Sequence, residues 1–459
     1  MTQTRADRSA DLTSGPMLQK IILFSIPLAA SSILQLLFNA ADVVVVGRFA
    51  GSTALAAVGS NGSLINLLVN LFVGLSLGAN VVAARCFGAK DEHGIQDTVH
   101  TAVTLGLTSG VLLAVVGFFA ARSLLELMSC PEDVIDLSSL YLKIYFIGMP
   151  MNMLYNFSSA LLRAVGDTKR PLYILTFSGL VNVALNLFFV IVLKFGVSGV
   201  AIPTIISQYL SALLIIIHLK RMNNACRLSF RSLRIHSAEL RDILKIGLPA
   251  GIQSSLFSVS NVVIQSTVNS FGSSAMAGVA AGSNYDAYIY TCTNAISQTT
   301  MTFASQNMGA RKYSNLGRVY RHCLLITLAI GVGMGMLGMA FGDFIVGLFS
   351  DDPEVIAIGA ERLRLIMPFY FFCSLMDVAA GQLRGMGKSF APMLISLLGA
   401  CGSRILWVYL ILPLDRTLVN LFWSYPVSWA LTFAVQFAAY FIVKHRMKKN
   451  GTFDDEVPA

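Results

Sequence analysis

Leu162-Arg163-Ala164-Val165-Gly166 and Leu383-Arg384-Gly385-Met386-Gly387 are one phrase written twice, 221 positions apart (162 against 383). The same offset recurs on either side. Gly51-Ser52-Thr53-Ala54 returns as Gly272-Ser273-Ser274-Ala275, Gly88-Ala89-Lys90 as Gly309-Ala310-Arg311, and Pro171 as Pro392. Pro131-Glu132 returns as Pro353-Glu354 with a slip of one. Residues 20–220 and 241–443 are therefore two copies of one plan. A membrane protein built of two like halves commonly places a substrate path between them.

That the chain is a membrane protein follows from its composition. Hydrophobic residues make up 55% and charged residues 12%, with a mean hydropathy of +0.69. A soluble domain carries about 25% charged residues. Uncharged runs such as 21–41, 49–84, 98–121, 172–193, 246–285 and 417–443 each reach the roughly 20 residues that a spanning helix needs. The pattern predicts an all-α polytopic membrane protein with 12 transmembrane helices in two pseudo-symmetric six-helix bundles. In the first half the spans fall near 18–45, 53–84, 98–121, 140–162, 171–193 and 195–219; in the second, near 244–270, 275–305, 322–348, 362–383, 390–413 and 416–443. The domain reading is an N-terminal tail (1–17), an N-lobe (18–219), a basic linker (220–243), a C-lobe (244–443) and a C-terminal tail (444–459) expected to be short and mostly disordered. The linker reads equally as a helix on the membrane face or as plain chain. The first run is too long for a signal-peptide core and reads as a retained span.

Net charge is +9, yet its distribution points away from nucleic acid. Threading twelve spans puts 25 of the 33 Lys and Arg on one side, while Glu126, Glu132, Asp133, Asp136, Asp343, Asp351, Asp352 and Glu354 collect on the other. Basic loops stay in the cytoplasm, so both termini are expected there. Six spans per half give both halves the same orientation, as in parallel repeats. The seven cysteines are scattered without CxxC spacing and read as apolar fillers. The histidines fall near span ends, and no Ser/His/Asp, metal-ligand or nucleotide constellation suggests an enzyme. The run from Gly381 to Ser389 looks like a phosphate-binding loop, but Gln382 stands where GxxxxGK[ST] needs glycine. Any drive must then come from an ion gradient. Pro27 and Pro249 sit early in the first span of each half, where each would bend its helix, as a hinge or as a fit to the bundle.

Acids inside hydrocarbon cost about 3 kcal/mol on insertion scales and mark candidate sites. Three fall within predicted spans: Asp42, Asp286 and Asp377. Gln35, Asn39 and Asp42 share a helix face. Asn152 and Asn156, Asn182 and Asn186, and Thr204 and Gln208 pair in the same way on later spans. A carboxylate among neutral oxygens suits a proton or a hard cation; the amides alone also serve as glue between helices. In the second half, Asn261, Gln265 and Asn269 form a stripe, and Asp286 neighbours Tyr285 and Tyr290, whose rings could face an organic cation. Asp377 stands two turns before Arg384 and either pairs with it or lines the path. Arg404 reads as a buried partner for an acid.

Leu12-Thr13-Ser14-Gly15-Pro16, Pro27, Asp42-Val43-Val44-Val45-Val46-Gly47, Gly88-Ala89-Lys90, Leu162–Thr168 and Leu383–Ser389 in this order resemble the multidrug and toxic compound extrusion (MATE) family, in its DinF-like bacterial branch, from Leu12 to about Lys444. The resemblance implies alternating access about a central cleft and export of drug-like organic cations against incoming H+ or Na+, with no other cofactor. It assigns Asp42 to the proton or Na+ site, with Asn182 beside it; we add Asn186 and Thr204. Where many relatives carry a second carboxylate this chain has Asn186, and the span region 246–285 holds no acid. Gln35, Asn39, Asn152, Asn156, Gln265, Tyr285, Asp286, Tyr290 and Asp377 are the expected cleft residues. One chain holds both lobes, so a monomer in the cell membrane is expected. The alternative function is flipping or export of a lipid-linked or amphiphilic metabolite, for which Arg404 speaks and the three acids do not.

Overall fold

The computed structural model describes residues 11–128, 130–454 and 456; the first ten residues of the expected N-terminal tail and positions 457–459 lie outside the described residues. The helices are α1 (Met17–Phe49), α2 (Ser52–Ala89), α3 (Glu92–Leu127), α4 (Glu132–Ile147), α5 (Met149–Ala164), α6 (Lys169–Leu187), α7 (Ser198–Arg221), α8 (Ser237–Asn269), α9 (Ser273–Gly309), α10 (Tyr313–Ala340), α11 (Gly342–Gly347), α12 (Pro353–Ile366), α13 (Tyr370–Gly385), α14 (Phe390–Ser396), α15 (Ser403–Leu406) and α16 (Leu418–Lys449). Taking α4–α5, α10–α11, α12–α13 and α14–α15 each as one broken helix leaves twelve long segments. Among the described residues nine are long and apolar enough to cross a membrane, and ten with the bent α4–α5 pair, which turns by 48°. The two that fall short are α8 and α9. They have the length but are interrupted by Ser, Thr, Asn and Gln, including Asn261, Gln265, Asn269, Asn294 and Gln298.

The repeat read from sequence is also a repeat of backbone angles. Positive φ occurs at Gly51 (91°) and Gly272 (104°), at Lys90 (57°) and Arg311 (54°), and at Gly166 (90°) and Gly387 (78°). Each pair is 221 positions apart, so the joints between helices are turned by the same left-handed residues in both halves.

By internal packing the chain forms two compact units: Ala30–Gly251 with Asp11, and Leu12–Ala29 with Ile252–Ala459. The sequence reading divides the chain at the basic linker instead. The chain changes unit inside α1 and inside α8, in each case two residues after Pro27 or Pro249. Proline lacks the amide that would bond one turn back, so each helix is weakest where it changes unit.

In the first unit the leading part of α8 crosses α2 at the Gly74-xxx-Gly78 and Gly247-xxx-Gly251 pairs. A Cβ added at Gly74 would lie 2.2 Å from Gly251 N, and one at Gly78 2.4 Å from Ile243 O. Such small-residue pairs let backbones touch, and van der Waals contact then holds helices where no hydrophobic effect acts. The linker before α8 is ordered chain. Ser229 N donates to His100 Nε2 (3.2 Å) and His236 N to Thr101 Oγ1 (3.0 Å), so positions 100 and 101 of α3 hold it down. The helix considered for this segment begins only at Ser237 and is the start of α8.

In the second unit the stretch before α1 is fastened to α9 and α10. Leu12 N donates to Gln306 Oε1 (3.1 Å) and Asn315 Nδ2 to Thr13 O (3.0 Å), and Phe24 meets Phe303 edge-on at 5.5 Å. The expectation of a disordered C-terminal tail needs correction. α16 runs to Lys449, Phe453 packs on Tyr313 (5.5 Å), and Ser314 N donates to Glu456 Oε1 (2.6 Å). An aromatic ring and a carboxylate at the first amides of α10 give this short segment something to bind.

Candidate functional site

Asp42 lies near the end of α1 in the first unit, partly buried. α6 presents Asn182 and Asn186, one turn apart and both buried, toward it. Asn186 Nδ2 donates a short hydrogen bond to Asp42 Oδ1 and also reaches Asn182 Oδ1 at 3.2 Å. Asn182 Nδ2 lies 3.5 Å from Thr204 Oγ1 on α7, and Thr204 Oγ1 donates to Val200 O (2.9 Å). The Asn182 amide also fits turned over: its nitrogen then donates to Asp42 Oδ1 at 3.0 Å and its oxygen accepts from Thr204 N at 3.3 Å. Amide orientation is fixed by the hydrogen-bond network around it, and with a carboxylate at Asp42 the turned setting is the one that pairs donor with acceptor. Immediately after Asn186 the helix widens into a π turn, Phe188–Val192, a feature frequent at functional positions. Asn186 Oδ1 is buried and has no hydrogen-bond partner among the described residues.

The four residues expected at the coupling site thus stand together on three helices. The expected cleft residues are more dispersed. Gln35 and Asn39 are exposed on α1, and Asn156 Nδ2 donates to Asn152 Oδ1 at 2.6 Å. Gln265 donates to Asn269 (3.0 Å) on the exposed face of α8.

In the second unit the acids are arranged differently from the sequence reading. Asp286 is clamped by Arg362, whose two terminal nitrogens donate to its two oxygens at 3.2 and 2.6 Å. Tyr285 donates to Met334 O (2.7 Å), and Tyr290 OH accepts from Asn294 (3.4 Å). Asp377 and Arg384 are not within ion-pair distance. Arg384 donates to Gln253 (2.8 Å), and Asp377 Oδ2 is buried without a hydrogen-bond partner among the described residues. Arg404 has no acid within 4.0 Å among the described residues; its Nε donates to Ser428 Oγ (3.0 Å) and its guanidinium lies over Tyr425. Sequence reasoning missed Arg362 because Glu361-Arg362-Leu363-Arg364 looks like a solvated charge run. Its signal was the helical spacing: Gly359, Arg362, Leu363 and Ile366 lie on one buried stripe of α12.

A helical, multi-pass membrane protein of two related halves, with acids held inside its helices, is a transporter by class. The MatE family model matches this chain twice, over residues 27–188 and 249–410, and the chain belongs to that family of efflux transporters. Among curated relatives it is 28% identical to the probable multidrug resistance protein YoeA of Bacillus subtilis, over 91% of this chain and 92% of that one. It is 25% identical to the probable multidrug resistance protein NorM of Thermotoga maritima, over 84% of each chain. Among solved structures, an outward-facing MATE family transporter of the MOP superfamily superposes with a TM-score of 0.89 at 20% identity, covering 98% of this chain and 100% of the other. A variant of the Vibrio cholerae MATE transporter VcmN does so at 0.88 and 18%, with the same coverage. At these identities the structures establish a shared fold.

Proposed function

We propose that this transporter is a secondary antiporter that exports drug-like organic cations in exchange for H+, with Asp42 as the coupling carboxyl and both termini in the cytoplasm. The multidrug names of its relatives support the substrate class. The asymmetry of basic loops supports the orientation. The observation that carries the mechanism is the pairing of Asp42 on α1 with two buried amides of α6, Asn182 and Asn186.

Ionised, Asp42 accepts from Asn186 Nδ2 and from the Asn182 amide, which ties α1 to α6. A proton on Asp42 removes the charge that holds these donors and weakens that tie. A chain whose two states differ in this tie, biased by a proton on one side and a substrate on the other, can couple them. A second reading, Na+ coupling, rests on the orphaned Asn186 Oδ1. With Asp42, Asn182 and Thr204 it makes the all-oxygen set that a hard cation requires.

The test is a gradient swap. In proteoliposomes, ethidium movement driven by an imposed pH gradient without Na+ supports proton coupling. Movement driven only by a Na+ gradient overturns it in favour of the second reading. Movement with neither overturns both.

A further inference from the structure

Arg404 is a buried cation of the second unit with no acid within 4.0 Å among the described residues. It is 4% exposed and sits on the four-residue α15 between two π turns, Leu397–Gly402 and Trp407–Ile411. Its guanidinium carbon is 4.4 Å from the centre of the Tyr425 ring and 5.4 Å from that of Trp429. Ser428 takes its Nε–H, and among the described residues neither terminal nitrogen donates to a protein acceptor. Asp286 is taken up by Arg362, and among the described residues no carboxylate stands within 4.0 Å of Arg404. The Arg362 guanidinium faces the same Tyr425 ring at 6.0 Å, but its charge is balanced by Asp286, which leaves the charge of Arg404 unbalanced.

A lone guanidinium at membrane depth is costly and marks a functional position. Its flat fork, held by rings on its face, leaves two parallel N–H donors that match a carboxylate. The geometry points to a binding subsite at Arg404 for an anionic group, a carboxylate carried on an aromatic substrate. This rests on the export reading above and narrows it. The preferred substrates are amphoteric, bearing an acid as well as a cation, and Arg404 takes the acid end while Tyr425 and Trp429 set the plane of the guanidinium.

The matched probes are rhodamine B, which carries a free carboxylate, and its ethyl ester, which has the same ring system and cationic charge without the acid. Equilibrium binding to the purified full chain in detergent, read by fluorescence anisotropy, needs no gradient. Its failure is therefore separable from failure of the export reading, which flux assays test. The wild type should bind the acid about tenfold more tightly than the ester. Arg404→Gln should bring the ratio to about one while the ester affinity stays near its wild-type value. Arg404→Lys keeps the charge but loses the fork, and should lower the ratio by roughly threefold. That variant decides the matter if the glutamine variant does not fold. A wild-type ratio of one or below, or a ratio that neither substitution lowers, overturns the subsite.

Discussion

Cutting the Arg362–Asp286 pair from either side should cost unequal amounts, and cutting it from both sides should cost little. Arg362 is 3% exposed and Asp286 20% exposed at their side chains. In Asp286→Leu the guanidinium is left buried without its carboxylate, beside the Tyr425 ring at 6.0 Å. Stranding a buried charge costs about 3–5 kcal/mol. In Arg362→Met the remaining carboxylate keeps some access to water, and the loss should be nearer 2 kcal/mol. The double variant strands nothing; apolar replacement of a buried pair is neutral within about 1 kcal/mol. The double-mutant cycle should therefore show a coupling of about 6 kcal/mol, measured as reversible unfolding in mixed detergent micelles. If the two losses simply add, within about 0.5 kcal/mol, the pair is not a closed ion pair and the argument fails. The double variant should also retain ethidium export, because Asp286 is occupied by Arg362 rather than by substrate.

Three further outcomes are expected. Gly74→Val should abolish the monodisperse folded protein on size-exclusion chromatography, since its Cβ would lie 2.2 Å from Gly251 N; Gly62→Ala, with no atom within 4 Å, should elute as wild type. Asn186→Leu removes the short donor to Asp42 and should lower gradient-driven ethidium flux by about tenfold, the equivalent of about 1.4 kcal/mol, while leaving equilibrium dye binding intact. Burial pushes the Cys226 thiol from its ordinary 9.0 up to about 12, so the reactive thiolate is scarce at pH 8. Intact-mass analysis should show Cys226 labelled by maleimide far more slowly in the folded chain than after denaturation, and equal rates would mean the linker is not docked.

The repeat, the helical spans and the polar faces of single helices were legible because each is written in local spacing, whereas the meeting of Asp42 with the α6 asparagines, 144 positions on at Asn186, was given by the family resemblance. Glycines and prolines recur at a fixed offset, and Asn182 and Asn186 share a face by helical period alone. The second unit was harder to read. Asp286 meets Arg362 across 76 positions, and no pattern within one helix announces such a partner. The expected Asp377–Arg384 pair looked natural at two turns, yet Arg384 reaches Gln253 on another helix. The division into units was equally hidden. The glycine crossing of α2 and α8 depends on four residues spread from 74 to 251, each unremarkable on its own. The charged linker suggested a boundary by composition, whereas the packing boundary follows two prolines inside helices.

The claim on which the rest depends is that Asp42 carries the coupling ion. Proteoliposomes holding wild type or Asp42→Asn, loaded with ethidium and subjected to a pH gradient and then to a Na+ gradient, measure it directly. The asparagine variant keeps the shape and the contact with Asn186 but cannot take up or release a proton. The account predicts that its gradient-driven flux falls to the level of empty liposomes while ethidium binding persists. Flux at the wild-type rate under either gradient would contradict it.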